Sequence, residues 1–445
     1  MKVGRWKVLG LAGVLTLGYV VTSEAAQIKV SDETWANFGL NMKIWYFHWD
    51  KRSNDTVAGG WSQNEFRVGQ SKIYFTGQVN KLFQFYSELD AASPGITELG
   101  EAGINFAFAK EFQALVGRIR KPFTRNQIVS GYAELTPRGA WLDPQGVIDP
   151  IRGQIRRADL GLMLHGDLAG GILNYRIGVF NENKADTKLW LGDGAQRWVA
   201  PPVDPNKKRN DFKNFEWAAR VEFQPLMLGF KPASAATITA KSADTFLGKQ
   251  DVFIIGLGYN KEKHTHKLRL APNNIKDLDR SAWTMDATIE KKVGNVVPNL
   301  QLGYISLDES HFYNKYTRGQ NAWQVTPKKG DTDLYYIQGQ LLYDQVVGFG
   351  KPALAFRYEK IEADGEYVPA LNNLTVHKKD LEVSTFGLAL NYYIKGNAAR
   401  VSIGFDTSKY DGAASAFLKR SGIANPNVKE KDRITDWYLY LQSQF

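Results

Sequence analysis

Seven basic residues fall between positions 120 and 157: Arg120, Lys121, Arg125, Arg138, Arg152, Arg156 and Arg157. Arg118 sits just ahead of them. Only Glu134, Asp143 and Asp149 offset the seven, so the stretch carries a local excess of four positive charges. A guanidinium offers forked donors in a fixed plane, a geometry suited to oxyanions. If such groups line a narrow passage with low-dielectric walls, the field along that passage is focused and favours anions. The competing reading is local: each cation pairs with a nearby carboxylate, or with lipopolysaccharide phosphates outside. For any single residue the sequence leaves both open.

Other chemistry finds less support. The six histidines are His48, His165, His264, His266, His311 and His377. His264-Thr265-His266 could hold a metal, because alternate strand residues face one way. It stands among lysines at the start of a polar stretch, where solvated loop histidines are the simpler reading. No serine and histidine single themselves out as a hydrolytic pair, and no enzyme activity or cofactor is expected. There is no cysteine. Disulfides, thiolate metal sites and covalent c-type haem are thereby excluded for this chain.

Which elements would position the basic stretch? The run 436–445 is the clearest. Trp437, Leu439, Leu441 and Phe445 share one parity, and Asp436, Tyr438, Tyr440, Gln442 and Gln444 share the other. That is a strand with one apolar and one wet face. A long amphipathic edge strand invites aggregation, and a closed barrel removes the edge. The expectation is an all-β, transmembrane, antiparallel up-and-down barrel in which this strand pairs with the first.

Alternation recurs along the chain. Phe38, Leu40, Met42, Ile44 and Tyr46 oppose Asn37, Asn41, Lys43 and Trp45, and Leu173, Tyr175, Ile177 and Val179 oppose Asn174 and Arg176. About sixteen such stretches can be counted, each near the ten residues a tilted membrane strand needs. The connections alternate in length. Long ones fall at 49–64, 91–102, 121–156, 181–214, 261–279, 308–332, 361–380 and 411–431. Short ones fall at 80–81, 109–111, 167–171, 294–298, 346–351 and 395–397. Outer-membrane barrels keep short turns on the periplasmic side and long loops outside. Residues 224–250 break this parity, being long where a short turn is due. They form a periplasmic excursion, or residues 234–240 hide a hairpin that raises the count to eighteen; sixteen is preferred.

Lys2, Arg5 and Lys7 precede an apolar stretch over 8–21 and small residues at Ser23 and Ala25. This reads as a secretory signal over 1–25, with a barrel over 26–445. The apolar run is shorter than the roughly 20 residues a spanning helix needs. Without 1–25 the chain has 53 basic and 45 acidic residues, a net charge of +8. A mean hydropathy of −0.35 does not oppose a membrane barrel, since only every second residue meets lipid. The aromatic count is high, at 12 Trp, 20 Tyr and 24 Phe. Trp45, Tyr46, Phe47 and Trp49 read as part of an interfacial girdle in preference to a sugar-stacking slide.

By parity Lys43, Lys72, Arg176, Arg220, Arg357 and Arg400 face the lumen. So do Glu88, Asp90, Glu216, Glu222, Asp286, Glu290, Glu359 and Asp406. The plainer reading is a wall of transverse charge pairs that sets no preference, leaving any selectivity to the basic stretch.

The chain also resembles a known family. Gly117-Arg118-Ile119-Arg120-Lys121-Pro122-Phe123-Thr124 is similar to a strand-to-loop corner of the phosphate-selective porin O and P family. Leu160-Gly161-Leu162, His165-Gly166, Tyr175-Arg176-Ile177-Gly178-Val179-Phe180-Asn181, Ala219-Arg220-Val221-Glu222-Phe223-Gln224-Pro225 and Phe386-Gly387-Leu388-Ala389-Leu390-Asn391-Tyr392-Tyr393 follow in the family's order. The resemblance implies a homotrimeric sixteen-stranded porin of the bacterial outer membrane, with the third long loop, here 121–156, folded inward. It further implies passive passage of small anions, phosphate among them. The family's phosphate-binding constellation is not placed residue by residue by these matches. The expected partners are therefore small anionic solutes, outer-membrane lipid and lipopolysaccharide, and not nucleic acid. The alternatives are a non-selective porin and a barrel sheath for a partner such as an electron-transfer cytochrome.

Overall fold

A computed structural model describes residues 26–49, 64–91, 98–137, 157–181, 215–271, 274–308, 332–363, 366–367, 377–378, 381–412 and 433–445. The strands in chain order are β1 (Ala26–Lys29), β2 (Trp35–Trp49), β3 (Asn64–Gln78), β4 (Phe83–Asp90), β5 (Glu98–Ala107) and β6 (Gln113–Arg120). After a single helical turn, α1 (Arg125–Ile128), come β7 (Ala158–Leu168), β8 (Leu173–Asn181), β9 (Phe215–Phe223), β10 (Val252–Ala271), β11 (Asn274–Glu290) and β12 (Val296–Asp308). The remainder are β13 (Thr332–Tyr343), β14 (Lys351–Ala363), the two-residue pair β15 (Glu366–Tyr367) and β16 (His377–Lys378), β17 (Leu381–Lys395), β18 (Ala399–Gly412) and β19 (Arg433–Gln444).

Setting aside β1, β15 and β16, sixteen strands pair antiparallel with their neighbours and close on themselves. The seam joins β19 to β2, from Asp436↔Trp49 to Gln444↔Asn41. Phe445 extends it by exchanging backbone hydrogen bonds with Leu40 at 3.0 and 3.1 Å. Beyond that point β1 takes over the same edge of β2, from Ala26↔Phe38 to Lys29↔Trp35. The sixteen-strand expectation is met, and residues 234–240 form turns with no hidden hairpin.

Period-two alternation decides which way each side chain faces. Leu162, Trp217, Leu257, Trp283, Leu302, Leu354, Leu390, Ile403 and Trp437 are all exposed on the outside. In water so much exposed apolar surface would drive association; against hydrocarbon it is the favourable face. Aromatic rings gather at both rims. Phe83–Phe106 (5.0 Å), Phe108–Phe112 (5.6 Å) and Phe349–Tyr392 (5.0 Å) lie at the short-turn end. Trp283–Tyr304 (4.9 Å) and Phe405–Trp437 (4.9 Å) lie toward the long-loop end. A charge on the outer face is correspondingly costly. Leu302→Arg is expected to destabilise the barrel by about 2–4 kcal/mol, read from urea unfolding in lipid vesicles.

Two expectations are corrected. Residues 261–279 are not a long loop: β10 and β11 continue pairing to Ala271↔Asn274, with register shifts after Glu262 and Arg269. β9 leaves β10 at Lys261, so the rest of this hairpin projects beyond its neighbour, and His264 and His266 lie within strand β10. The aromatic run over 45–47 divides between the faces. Tyr46 joins the outer girdle against Phe66, while Trp45 and Phe47 stack on the inner face at 5.1 Å beside Tyr440.

Candidate functional site

The chain leaves β6 through Pro122 and enters α1. Thr124 caps the turn: its Oγ1 accepts from Gln127 N (3.2 Å), and Gln127 Oε1 accepts from Thr124 N (3.1 Å). This is a reciprocal capping box. The next residues bond to strands on both sides of the seam. Lys43 on β2 donates to the Gly131 carbonyl (2.6 Å), and Gln442 on β19 to Tyr132 (3.0 Å). Arg400 on β18 donates to Glu134 (2.6 Å), and Asn391 on β17 to Leu135 (2.8 Å).

A second irregular segment meets the first. Residues 224–251, between β9 and β10, run beside 128–133. Ser242 N donates to Ile128 O (3.0 Å), Ser130 N to Ser242 O (2.9 Å), and Asp244 N to Ala133 O (3.1 Å). Wall side chains satisfy the other carbonyls. Arg176 donates to Ala240 (2.9 Å), and Asn299 and Gln301 both to Asp244 (2.8 and 2.9 Å), while Arg125 of α1 donates to Ala243 (2.6 Å). Buried backbone must find partners, and here strand side chains supply them. That requirement accounts for much of the buried polar inventory of this interior.

The basic residues singled out from the sequence fall into distinct environments. Arg118 shares the outward parity of Val116 and donates to Gly100 O (2.9 Å), so it is not grouped with the interior cations. Arg120 leaves that alternation: its Nε donates to Glu101 (2.7 Å), and its Nη1 reaches the Gln127 and Val129 carbonyls. Lys121 is fully buried against Glu216, with Asp159 at 3.7 Å. Arg125 lies 3.4 Å from Asp244 and 3.9 Å from Glu222. Arg157 is a third exposed, donates to Val129 O (2.7 Å) and approaches Glu134 at 4.0 Å. Arg138, Arg152 and Arg156 lie outside the described residues.

On the wall, Arg220 makes a bidentate pair with Asp286 (2.7 and 2.7 Å) and bonds to Glu222 (3.0 Å). Arg176 pairs with Glu222 (2.8 Å), and Arg357 with Asp406 (3.0 Å) and Glu359 (3.6 Å). Arg400 has no such carboxylate pair among the described contacts; its guanidinium sits over the rings of Tyr393 and Tyr440. Lys72 pairs with Glu88 (3.2 Å), and Lys43 lies 3.8 Å from Glu134. Trp437, Leu439 and Leu441 pair along the seam and Phe445 continues it.

Burial is uneven around the cylinder. The described inner-face side chains of β8 through β13, of β14 from Ala353 onward and of β17 from Val383 to Tyr393 are buried. On β3 and β4, Lys72, Tyr74, Thr76, Gln84, Glu88 and Asp90 stay partly open to solvent. Water therefore reaches the interior along β3 and β4. Sequence reasoning missed Glu101, Lys241 and Asp244 as interior charges. The usable signal was the broken parity of 224–250, which flagged the segment but not where it goes.

Asp244 carries a pH dependence. Burial pushes its carboxyl up to about 6, against the opposing pull of Arg125, with Glu134 and Asp286 adding repulsion and Gln301 a stabilising hydrogen bond. Below that pH the group is neutral and one negative charge disappears from between the two segments. Anion preference is expected to rise as pH falls from 7 to 5, read as the zero-current potential in a salt gradient. Asp244→Asn should remove that step.

The sequence model of one family, described as phosphate-selective porin O and P, matches residues 40–422. The chain belongs to that family. It is accordingly a β-barrel protein of the bacterial outer membrane. An uncharacterised protein of Aquifex aeolicus is 25% identical over 297 residues, covering 66% of this porin-family chain and 58% of that protein. Among solved structures, trimer-form OmpT of Vibrio cholerae is 11% identical, with 93% of this chain and 100% of that chain covered and a TM-score of 0.49. An anion-selective porin from Comamonas acidovorans is 10% identical, with 93% and 100% covered and a TM-score of 0.47.

Proposed function

We propose that this family member is a diffusion porin for small hydrophilic solutes with a preference for anions, phosphate-like oxyanions included. Its constriction is formed by residues 121–137 together with 233–250, and its solute path follows β3 and β4. The observation that carries the reading is the charge balance on that side. Lys43, Lys72, Arg120, Arg157 and Lys241 lie against Glu88, Glu101 and Glu134, Asp90 stands in register with Lys72, and Arg400 binds the Glu134 backbone carbonyl, six cations to four carboxylates. In a narrow low-dielectric passage an excess of two positive charges raises the local anion concentration. An enzyme role is not part of this reading.

The test is the zero-current potential of single channels in a potassium chloride gradient. A potential on the chloride side is expected; one on the potassium side defeats the anion preference. The assembly is a homotrimer, to be read from native mass in mild detergent. Residues 1–25 are a cleaved export signal, and the protein isolated from membranes should begin near Ala26.

A further inference from the structure

The segment between β9 and β10 is longer than its connection requires. Lys231 N already bonds to Asp251 O at 2.8 Å, and the Phe230 and Phe253 rings pack at 5.7 Å, closing the base of the hairpin. Residues 232–250 are an excursion from that base into the interior. What they deliver to the solvent-open side is one ammonium group.

Lys241 Nζ lies 2.5 Å from Glu88 Oε1 and 3.0 Å from Glu101 Oε2, with the Tyr86 ring 5.5 Å away. Both carboxylates belong to the wall beside the open face, 153 residues from Lys241 in the case of Glu88. The neighbours of Lys241 are held on each side. Arg176 binds the Ala240 carbonyl, and Ser242 is laddered to residues 128–130. Ala240 takes a left-handed backbone, with φ of 51°. Without Lys241, Lys72 and Arg120 would be left facing Glu88, Asp90 and Glu101, a deficit of one positive charge on this wall.

We propose that Lys241 is a selectivity-determining residue, supplied from the short-turn side of the barrel. Its ammonium cancels wall carboxylates that would otherwise attract cations into the path. The inference rests on the diffusion reading but not on the sign of the wild-type preference.

The test uses the full-length porin in planar bilayers. Lys241→Gln and Lys241→Glu should move the zero-current potential stepwise toward the cation side, and Lys241→Arg should leave it in place. Because the chain contains no cysteine, Lys241→Cys provides a single thiol. An aminoethyl methanethiosulfonate should restore the original potential, and a sulfonatoethyl reagent should displace it further. Lys249→Cys, exposed on the same segment, is the control and should respond to neither. Heat-resistant gel mobility establishes that each variant is folded. Folded Gln and Glu variants with the wild-type potential overturn the proposal, as does an equal response at Lys249. A wild-type channel preferring cations, with Lys241 variants shifting it further, defeats the anion reading and leaves this one standing.

Discussion

Arg220→Ala is expected to unfold at markedly lower denaturant than the wild type, with a loss of about 3–5 kcal/mol. The guanidinium is fully buried and bonds to both oxygens of Asp286, to Glu222 and to the Phe123 carbonyl (3.3 Å). Removing it leaves two carboxylates and one carbonyl with fewer donors in a place water reaches poorly. The cost comes from these stranded partners more than from the pair's own net worth, which desolvation largely offsets. The double variant Arg220→Ala, Asp286→Ala should therefore be less damaged than the two single losses combined. Urea titration of all four forms in lipid vesicles measures the coupling. Strict additivity would mean that the two groups do not share an environment.

Excising residues 234–249 and joining Ala233 to Gln250 through two glycines is expected to raise single-channel conductance several-fold and to weaken selectivity. The sixteen-strand ladder is untouched, because no barrel strand lies in that segment and the base at Lys231 and Asp251 remains. The excision uncovers Arg176, His165, Asn299 and Glu290, which now bond to segment groups. In a wider, wetter interior water replaces those bonds. Residues 128–133 also lose the ladder to Ser242 and Asp244 that holds them in place. Unchanged conductance would show that the segment lies outside the solute path.

The cylinder was legible wherever strands touch lipid, because there every second residue must be apolar. Residues 436–445 show this most clearly, since parity alone assigned Trp437 and Tyr440 to opposite faces. The reading failed where lipid no longer imposes the pattern. β10 and β11 continue pairing past Lys261 through a mostly polar run of sequence, so that run reads as loop. Residues 234–240 have strand-like composition but no free strand to pair with; side chains of the wall occupy their backbone instead. The ion pairs were illegible for another reason. Parity places Arg220 inside but gives no sign that its partner is Asp286, 66 positions on. Lys241 was hidden behind a turn whose length was noticed and whose path was not.

The seam has a kinetic meaning. Every other barrel pairing forms between consecutive strands, but Trp49 must find Asp436 across 387 intervening steps of chain. On simple polymer scaling such an encounter costs roughly 5 kcal/mol of chain entropy, about 3 kcal/mol more than a ten-residue turn. Joining the two ends should therefore be the slow, final event of maturation. Until it happens the curved sheet presents two sticky borders to the membrane, and a folding catalyst that shelters those borders would act at this stage more than at any other.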